Sequence, residues 1–167
     1  MSQESTLFVG NLDPSLSAEE AEAFLVELFT QCGAVQSIRL PTDGSGRNKG
    51  FAFVEMCTVE GSMYATLALN GLKLNGRYLR LACAMENEKE VQLRLENLPQ
   101  AAVEADMYEA LSHRVTSIRG IAVRRNHAGR SEGKAIVWFS SVALRDIAKQ
   151  TLSKELLFLE SQQLKVF

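Results

Sequence analysis

Two short segments place three phenylalanines where they can act together. Lys49-Gly50-Phe51-Ala52-Phe53-Val54-Glu55-Met56 carries two of them and Leu7-Phe8-Val9-Gly10-Asn11-Leu12 carries the third. Both segments read as β-strands, in which successive side chains point to opposite faces. Ala52, Val54 and Met56 then share one face, while Lys49, Phe51, Phe53 and Glu55 share the other. Phe8 points away from Leu7 and Val9 by the same rule. If helices cover only the first face, three rings stand on an open surface, which is costly unless something stacks on them. Nucleic-acid bases stack on such rings at about 1–3 kcal/mol each. Lys49 and Arg47 lie beside the rings as candidate phosphate contacts. Arg39, Tyr78 and Arg80, on the outer strands, are expected to reach the same face. The competing reading makes the three rings ordinary core and the cations solvated charge.

The rest of the chain offers little for bond-making chemistry. No carboxylate pair, nucleophile–base set or phosphate loop stands out, so no enzymatic role is expected. Gly44 and Gly46 sit in a loop of hairpin type and not ahead of a helix, so they form no nucleotide fingerprint. Cys32, Cys57 and Cys83 include no Cys-x-x-Cys pair, and their number is odd. Three reduced, at least partly buried thiols are expected, with no disulfide framework, metal site or cofactor.

The elements that would position these residues form one pattern used twice: strand, helix, strand, strand, helix, strand. In the first copy the strands are Leu7–Leu12, Val35–Leu40, Gly50–Met56 and Arg77–Cys83. Ser17-Ala18-Glu19-Glu20 is a capping box that starts a helix; Ala21, Phe24, Leu25, Leu28 and Phe29 follow at helical spacing. Thr42–Asn48 reads as a flexible loop, Val59–Leu69 as a helix, and Asn70-Gly71 and Asn75-Gly76 as turns. In the second copy strands are expected at Val91–Glu96, Ile118–Arg125, Lys134–Ser140 and Gln163–Phe167, with helices near Glu104–Leu111 and Val142–Leu152.

Residues 49–56 resemble the octamer of the RNA recognition motif (RRM), matching six defined positions and departing at Met56, on the core face. Residues 7–12 resemble its partner hexamer. The resemblance implies an α+β fold: two ferredoxin-like βαββαβ domains, each a four-stranded antiparallel sheet with two helices on one face. The expected division is 1–84, a short acidic linker 85–90, and 91–167. An intact first unit, a short linker and a degenerate second one are similar to the DBHS family and to raver-type proteins. The implied ligand is single-stranded RNA on the first sheet, through Phe8, Phe51, Phe53, Lys49, Arg47, Arg39, Tyr78 and Arg80.

The second copy keeps the core positions and loses the rings. In Glu132-Gly133-Lys134-Ala135-Ile136-Val137-Trp138-Phe139, Lys134 and Ile136 stand where Phe51 and Phe53 stand, and Arg94 replaces Phe8. Ile136 and Trp138 are expected on the open face. There they imply a protein partner, packing against the first domain, or cover by the C-terminal segment or Arg94. Arg119, Arg124, Arg125 and Arg130 are either non-specific phosphate contacts or a solvated edge.

Charge speaks partly against nucleic acid. The chain carries 18 Lys+Arg and 20 Asp+Glu, net −2. Residues 1–85 hold six against nine (−3), residues 86–90 one against three (−2), and residues 91–167 eleven against eight (+3). The alternative function is therefore a protein-interaction module without direct RNA binding. No apolar run reaches the roughly 20 residues needed to span a bilayer, and Met1–Thr6 lacks the layout of a signal peptide. An intracellular protein acting in RNA processing or mRNA regulation is expected, placed in the nucleus ahead of the cytoplasm.

Overall fold

The computed structural model describes residues 5–85, 88–155 and 157–167. The first half runs β1 (Thr6–Gly10), α1 (Ala18–Thr30), β2 (Val35–Arg39), β3 (Phe51–Met56), α2 (Val59–Leu69), β4 (Lys73–Leu74), β5 (Arg77–Tyr78) and β6 (Arg80–Cys83). The second half runs β7 (Gln92–Glu96), α3 (Glu104–Ser112), β8 (Ile118–Arg125), β9 (Ser131–Phe139), α4 (Val142–Lys154), β10 (Phe158–Leu159), β11 (Gln162–Gln163) and β12 (Lys165–Val166). Two four-stranded antiparallel sheets result, ordered β2-β3-β1-β6 and β12-β7-β9-β8. Allowing for the repeat, these are the same order, and the fold is α+β. Of the expected linker 85–90, residues 86 and 87 lie outside the described residues, as do residues 1–4.

The repeat extends to the residues that stop each strand. Asn11 and Asn97 end β1 and β7 with φ of 63° and 66°. Each donates its side-chain amide to the strand that precedes the last one of its sheet, Asn11 to the Tyr78 carbonyl at 2.8 Å and Asn97 to that of Gln163 at 2.9 Å. The helices begin where a hydroxyl accepts a free backbone N–H: Ser17 from Glu20, Thr58 from Gly61, Ser141 from Leu144. At Ser17 the capping box closes, its hydroxyl donating to Glu20 Oε1 at 3.1 Å. At α3 no N-cap side chain accepts; instead the Asp106 carboxylate accepts the Val103 N–H at 3.0 Å.

The last strand of each copy differs from the sequence expectation. Arg77–Cys83 is not one strand. Asn75 and Gly76, with φ of 51° and 83°, fold β5 back on β4. Leu79 then drops into the core, and its N–H donates to Leu72 O at 2.9 Å instead of to a sheet neighbour. The second copy does the same: Leu164 is buried and donates to Leu157 O at 2.8 Å, leaving β12 as a short strand. Cys57 is exposed, against the expectation of three partly buried thiols. Burial pushes the Cys83 thiol up to about 12.

The two halves share apolar contacts. Leu81 and Cys83 of β6 belong to one buried cluster with Val91, Ala122 and Trp138 of the second half. Helix α2 lies across β8, and its Met63 and Leu67 pack against the second core. Gly120 makes the approach possible: a Cβ there would stand 2.9 Å from Cys83 Sγ and 3.2 Å from Thr66 Cγ2. Polar groups close the seam. The Glu104 carboxylate accepts from Asn70 Nδ2 at 2.6 Å, Val123 N at 2.8 Å, and both Arg125 terminal nitrogens at 2.8 Å.

Candidate nucleic-acid interface

The central strands β1 and β3 bring the three phenylalanines together. Phe8 pairs with Phe53 across the strands, and Gly10 with Phe51. Ring centroids lie 6.0 Å apart for Phe8–Phe51, 5.7 Å for Phe8–Phe53 and 6.1 Å for Phe51–Phe53. All three side chains are half-buried, while Ala52, Val54 and Met56 are buried beneath them. Gly10 sets the cluster. A Cβ at Gly10 would stand 2.7 Å from Phe8 Cε1, so the Phe8 ring leans over bare backbone towards Phe51. The two rings are nearly parallel, at 26°. Phe53 stands edge-on to both, with the Arg39 guanidinium 4.5 Å from its centroid, a cation–π contact.

The loop before β3 is closed rather than loose. The Asp43 carboxylate accepts from the Ser45 amide and hydroxyl and from the Arg47 amide. These bonds, the Ser45 hydroxyl first, hold its pKa below the ordinary carboxylate value. Asn48 is buried, donating to Asp13 O at 2.8 Å and Leu16 O at 2.9 Å and accepting from Gly50 N at 2.8 Å. It thereby fixes the chain at Lys49, whose side chain, like that of Arg47, is exposed. Asn48 escapes sequence reasoning because a buried asparagine in a loop leaves no periodic signal.

The remaining predicted residues divide. Arg80 is exposed on β6, opposite Gly10, and Ala82 stands opposite Phe8. Tyr78 is placed apart from the phenylalanines, because β5 belongs to the small hairpin. Its ring lies against Gly129 of the β8–β9 loop, where a Cβ would come within 2.5 Å, and the Lys73 ammonium is 5.7 Å from its centroid. On the second sheet, Arg94 pairs with Ile136 as Phe8 pairs with Phe53, and Glu96 with Lys134 as Gly10 with Phe51. The rings are replaced in register. Trp138 is only 3% exposed, inside the cluster shared with the first half, and its indole N–H donates to Glu88 Oε2 at 3.1 Å. Ile136 is half-buried beside it. Of the four arginines singled out in this half, Arg119 is buried, Arg125 is paired with Glu104, and Arg124 and Arg130 are exposed.

Residues 7–80 match the family model of the RNA recognition motif. The chain is 30% identical over 161 residues to Splicing factor 3B subunit 4 of Caenorhabditis elegans, covering 93% of this chain and 40% of that protein. It is 42% identical over 76 residues to RNA-binding protein 7 of Danio rerio, covering 46% of this chain and 29% of that protein. It thus spans two fifths or less of the length of these relatives. Among solved structures it is similar to the RNA recognition domains 1 and 2 of Drosophila melanogaster Sex-lethal, at 23% identity and a TM-score of 0.49, covering 98% of each chain.

Proposed function

With an RNA recognition motif at residues 7–80 as the premise, we propose that the first sheet binds single-stranded RNA by stacking bases on Phe8, Phe51 and Phe53. The observation that carries this is the three-ring cluster on the one face that no helix covers, with Phe8 and Phe51 nearly parallel at 6.0 Å. Arg39 and Arg80 border the rings, and Lys49 and Arg47 stand at the N-terminal end of β3 as phosphate contacts. Residues 91–167 act as a second, degenerate unit without stacking residues, and 85–90 as the joint between the units. This unit scaffolds the first: Trp138 meets the first half of the chain, and that contact takes the place of an external partner at this residue. A role in RNA processing, and with it a nuclear location, is supported by the names of the relatives.

The test is Phe51→Ala with Phe53→Ala in the full chain. Two lost stacks cost roughly 2–6 kcal/mol of binding if additive, while circular dichroism stays unchanged. Near wild-type affinity for random single-stranded RNA would refute the platform. That result would favour a protein-interaction module, the reading that the −3 charge of residues 1–85 supports.

A further inference from the structure

We propose that the Ser45 hydroxyl is a phosphorylation site, and that its phosphate takes Arg47 and Lys49 away from RNA. The proposal rests on RNA binding by the first sheet and adds a control to it. A comparison within the chain carries it, because the β2–β3 and β8–β9 loops share one frame. In the first, Asp43 Oδ1 accepts the amides of Ser45 at 2.8 Å and Arg47 at 3.1 Å. In the second, Asn126 Oδ1 accepts those of Ala128 at 2.9 Å and Arg130 at 3.0 Å. The Asp43 amide donates to Arg47 O at 2.8 Å and that of Asn126 to Arg130 O at 2.9 Å, and Gly46 and Gly129 turn the chain at φ of 81° and 78°. Ala128 thus stands where Ser45 stands. The frame closes without a hydroxyl, so the Ser45 bond to Asp43 Oδ1, at 2.7 Å, is not needed for the shape of the loop. The hydroxyl belongs to the copy that has the rings and is missing from the copy that has lost them.

Ser45 is open to an enzyme. It is exposed, and a Cβ at Gly44 or Gly46 on either side would meet nothing within 4 Å, whereas Gly129 in the other loop is closed off by the Tyr78 ring. Arg47 and Lys49 follow two and four residues on, both exposed, which suits a serine/threonine kinase that reads cations on the C-terminal side of its serine. Among the described residues neither cation has a carboxylate at ion-pair distance. The carboxylates beside the loop are engaged: Asp43 with the loop amides, Glu20 with the Ser17 hydroxyl opposite Arg47, and Asp13 with Ser15 and Asn75.

In the transfer, Ser45 Oγ attacks the γ-phosphorus of ATP. An O–P bond forms, the bond from that phosphorus to the bridging oxygen breaks, ADP leaves with the electron pair, and the hydroxyl proton passes to a base of the kinase. The ester no longer donates to Asp43, and its charge of about −1.5 to −2 is repelled by that carboxylate. Arg47 and Lys49 are the cations the same loop offers instead. Residues 42–49 hold two cations and one carboxylate, +1 in all; after transfer they hold about −0.5 to −1. The approach to β3 beside Phe51 then repels a phosphate backbone it had attracted.

The experiment uses the full chain in two arms. In the first, the folded chain is incubated with ATP and a kinase of the stated class, and mass spectrometry finds phosphate on Ser45. No transfer to Ser45 in the folded chain, where the free peptide of residues 40–50 is modified, overturns the site. In the second, phosphoserine is inserted at position 45 during translation, and random-sequence single-stranded RNA is titrated at several salt concentrations. Two lost exposed ion pairs weaken binding roughly two- to thirtyfold, and the slope of log K against log salt falls by about 1.4, at about 0.7 per lost phosphate contact. Circular dichroism is unchanged, and Ser45→Ala binds as wild type does. In Arg47→Gln/Lys49→Gln, which binds more weakly from the start, the phosphoserine adds little further loss. The same further loss in that variant overturns the pairing with Arg47 and Lys49. If Ser45→Ala loses as much affinity as the phosphorylated chain, the hydroxyl is itself an RNA contact and the proposal is wrong. An unmodified chain that binds RNA and is unaffected by the phosphate overturns the switch alone; an unmodified chain that binds no RNA overturns the platform and the switch with it.

Discussion

Glu104 offers the sharpest test of how the halves are held. Its side chain is 2% exposed, and that of its partner Arg125 is 15% exposed. Four hydrogen bonds converge on the carboxylate, from Asn70, Val123 and twice from Arg125, and the bond from Asn70 crosses between the halves. Glu104→Gln keeps the shape and removes the charge. Three of the four donors share Oε1 and Arg125 Nη2 alone takes Oε2, so a glutamine, with one carbonyl oxygen, leaves at least one donor without its acceptor and weakens the rest by losing the charge. Its amide nitrogen, itself a donor, must face one of them. Leaving one partner of a buried pair uncompensated costs about 3–5 kcal/mol. At about 2–4 °C per kcal/mol for a chain of this size, the midpoint falls by roughly 6–20 °C. Trp138 is the only tryptophan and lies at the seam, so its emission reports both unfolding and undocking. The double variant Glu104→Gln/Arg125→Met removes both charges and recovers much of the loss, because an apolar replacement of a buried pair is often neutral. A loss under about 1 kcal/mol for Glu104→Gln, or no recovery in the double variant, would refute this reasoning.

Gly10→Ala pushes the Phe8 ring off its backbone shelf; weaker RNA binding in a titration, with little change in midpoint, is expected. Gly120→Val wedges α2 and β6 from β8 at a cost of about 1–3 kcal/mol; a red shift of Trp138 emission and separate tumbling of the halves by NMR relaxation check it. With a thiol reagent near neutral pH, Cys57 reacts first and Cys83 only on opening of the seam, which labelling time courses with mass spectrometry can follow. The folded state keeps the Cys83 proton up to about 12, whereas the unfolded chain gives it up from the ordinary thiol value of 9.0. Stability therefore falls as pH rises between those values, and Cys83→Ala flattens that part of the denaturation profile.

Where the sequence carries a period, the elements follow it. Val59–Leu69 and Ile118–Arg125 fall on their expected bounds, and Met56 is in the core as the alternation requires. The ring positions of both copies were legible for the same reason, since register follows from a spacing of two. The broken last strands were not, because the decisive event is Leu79 and Leu164 leaving the sheet for the core, a tertiary preference. Nor was the seam. Thr66, Asn70, Gly120 and Glu104 are far apart in the chain, and each taken alone reads as helix, turn, strand or helix start. Their roles exist only once α2 meets β8.

That meeting has a consequence for synthesis. Helix α2 gives Ala65 and Leu69 to its own core and Met63 and Leu67 to the other. When the first half leaves the ribosome, its far side is unfinished until β8 has been made. From Leu69 to Arg125 is 56 residues, which at about 5–20 residues per second takes roughly 3–11 s. For that interval the nascent chain carries a bare apolar strip on a domain otherwise able to fold. A chain cut near residue 85 carries it permanently, so the isolated first half should be the stickier of the two fragments in handling, whatever its affinity for RNA.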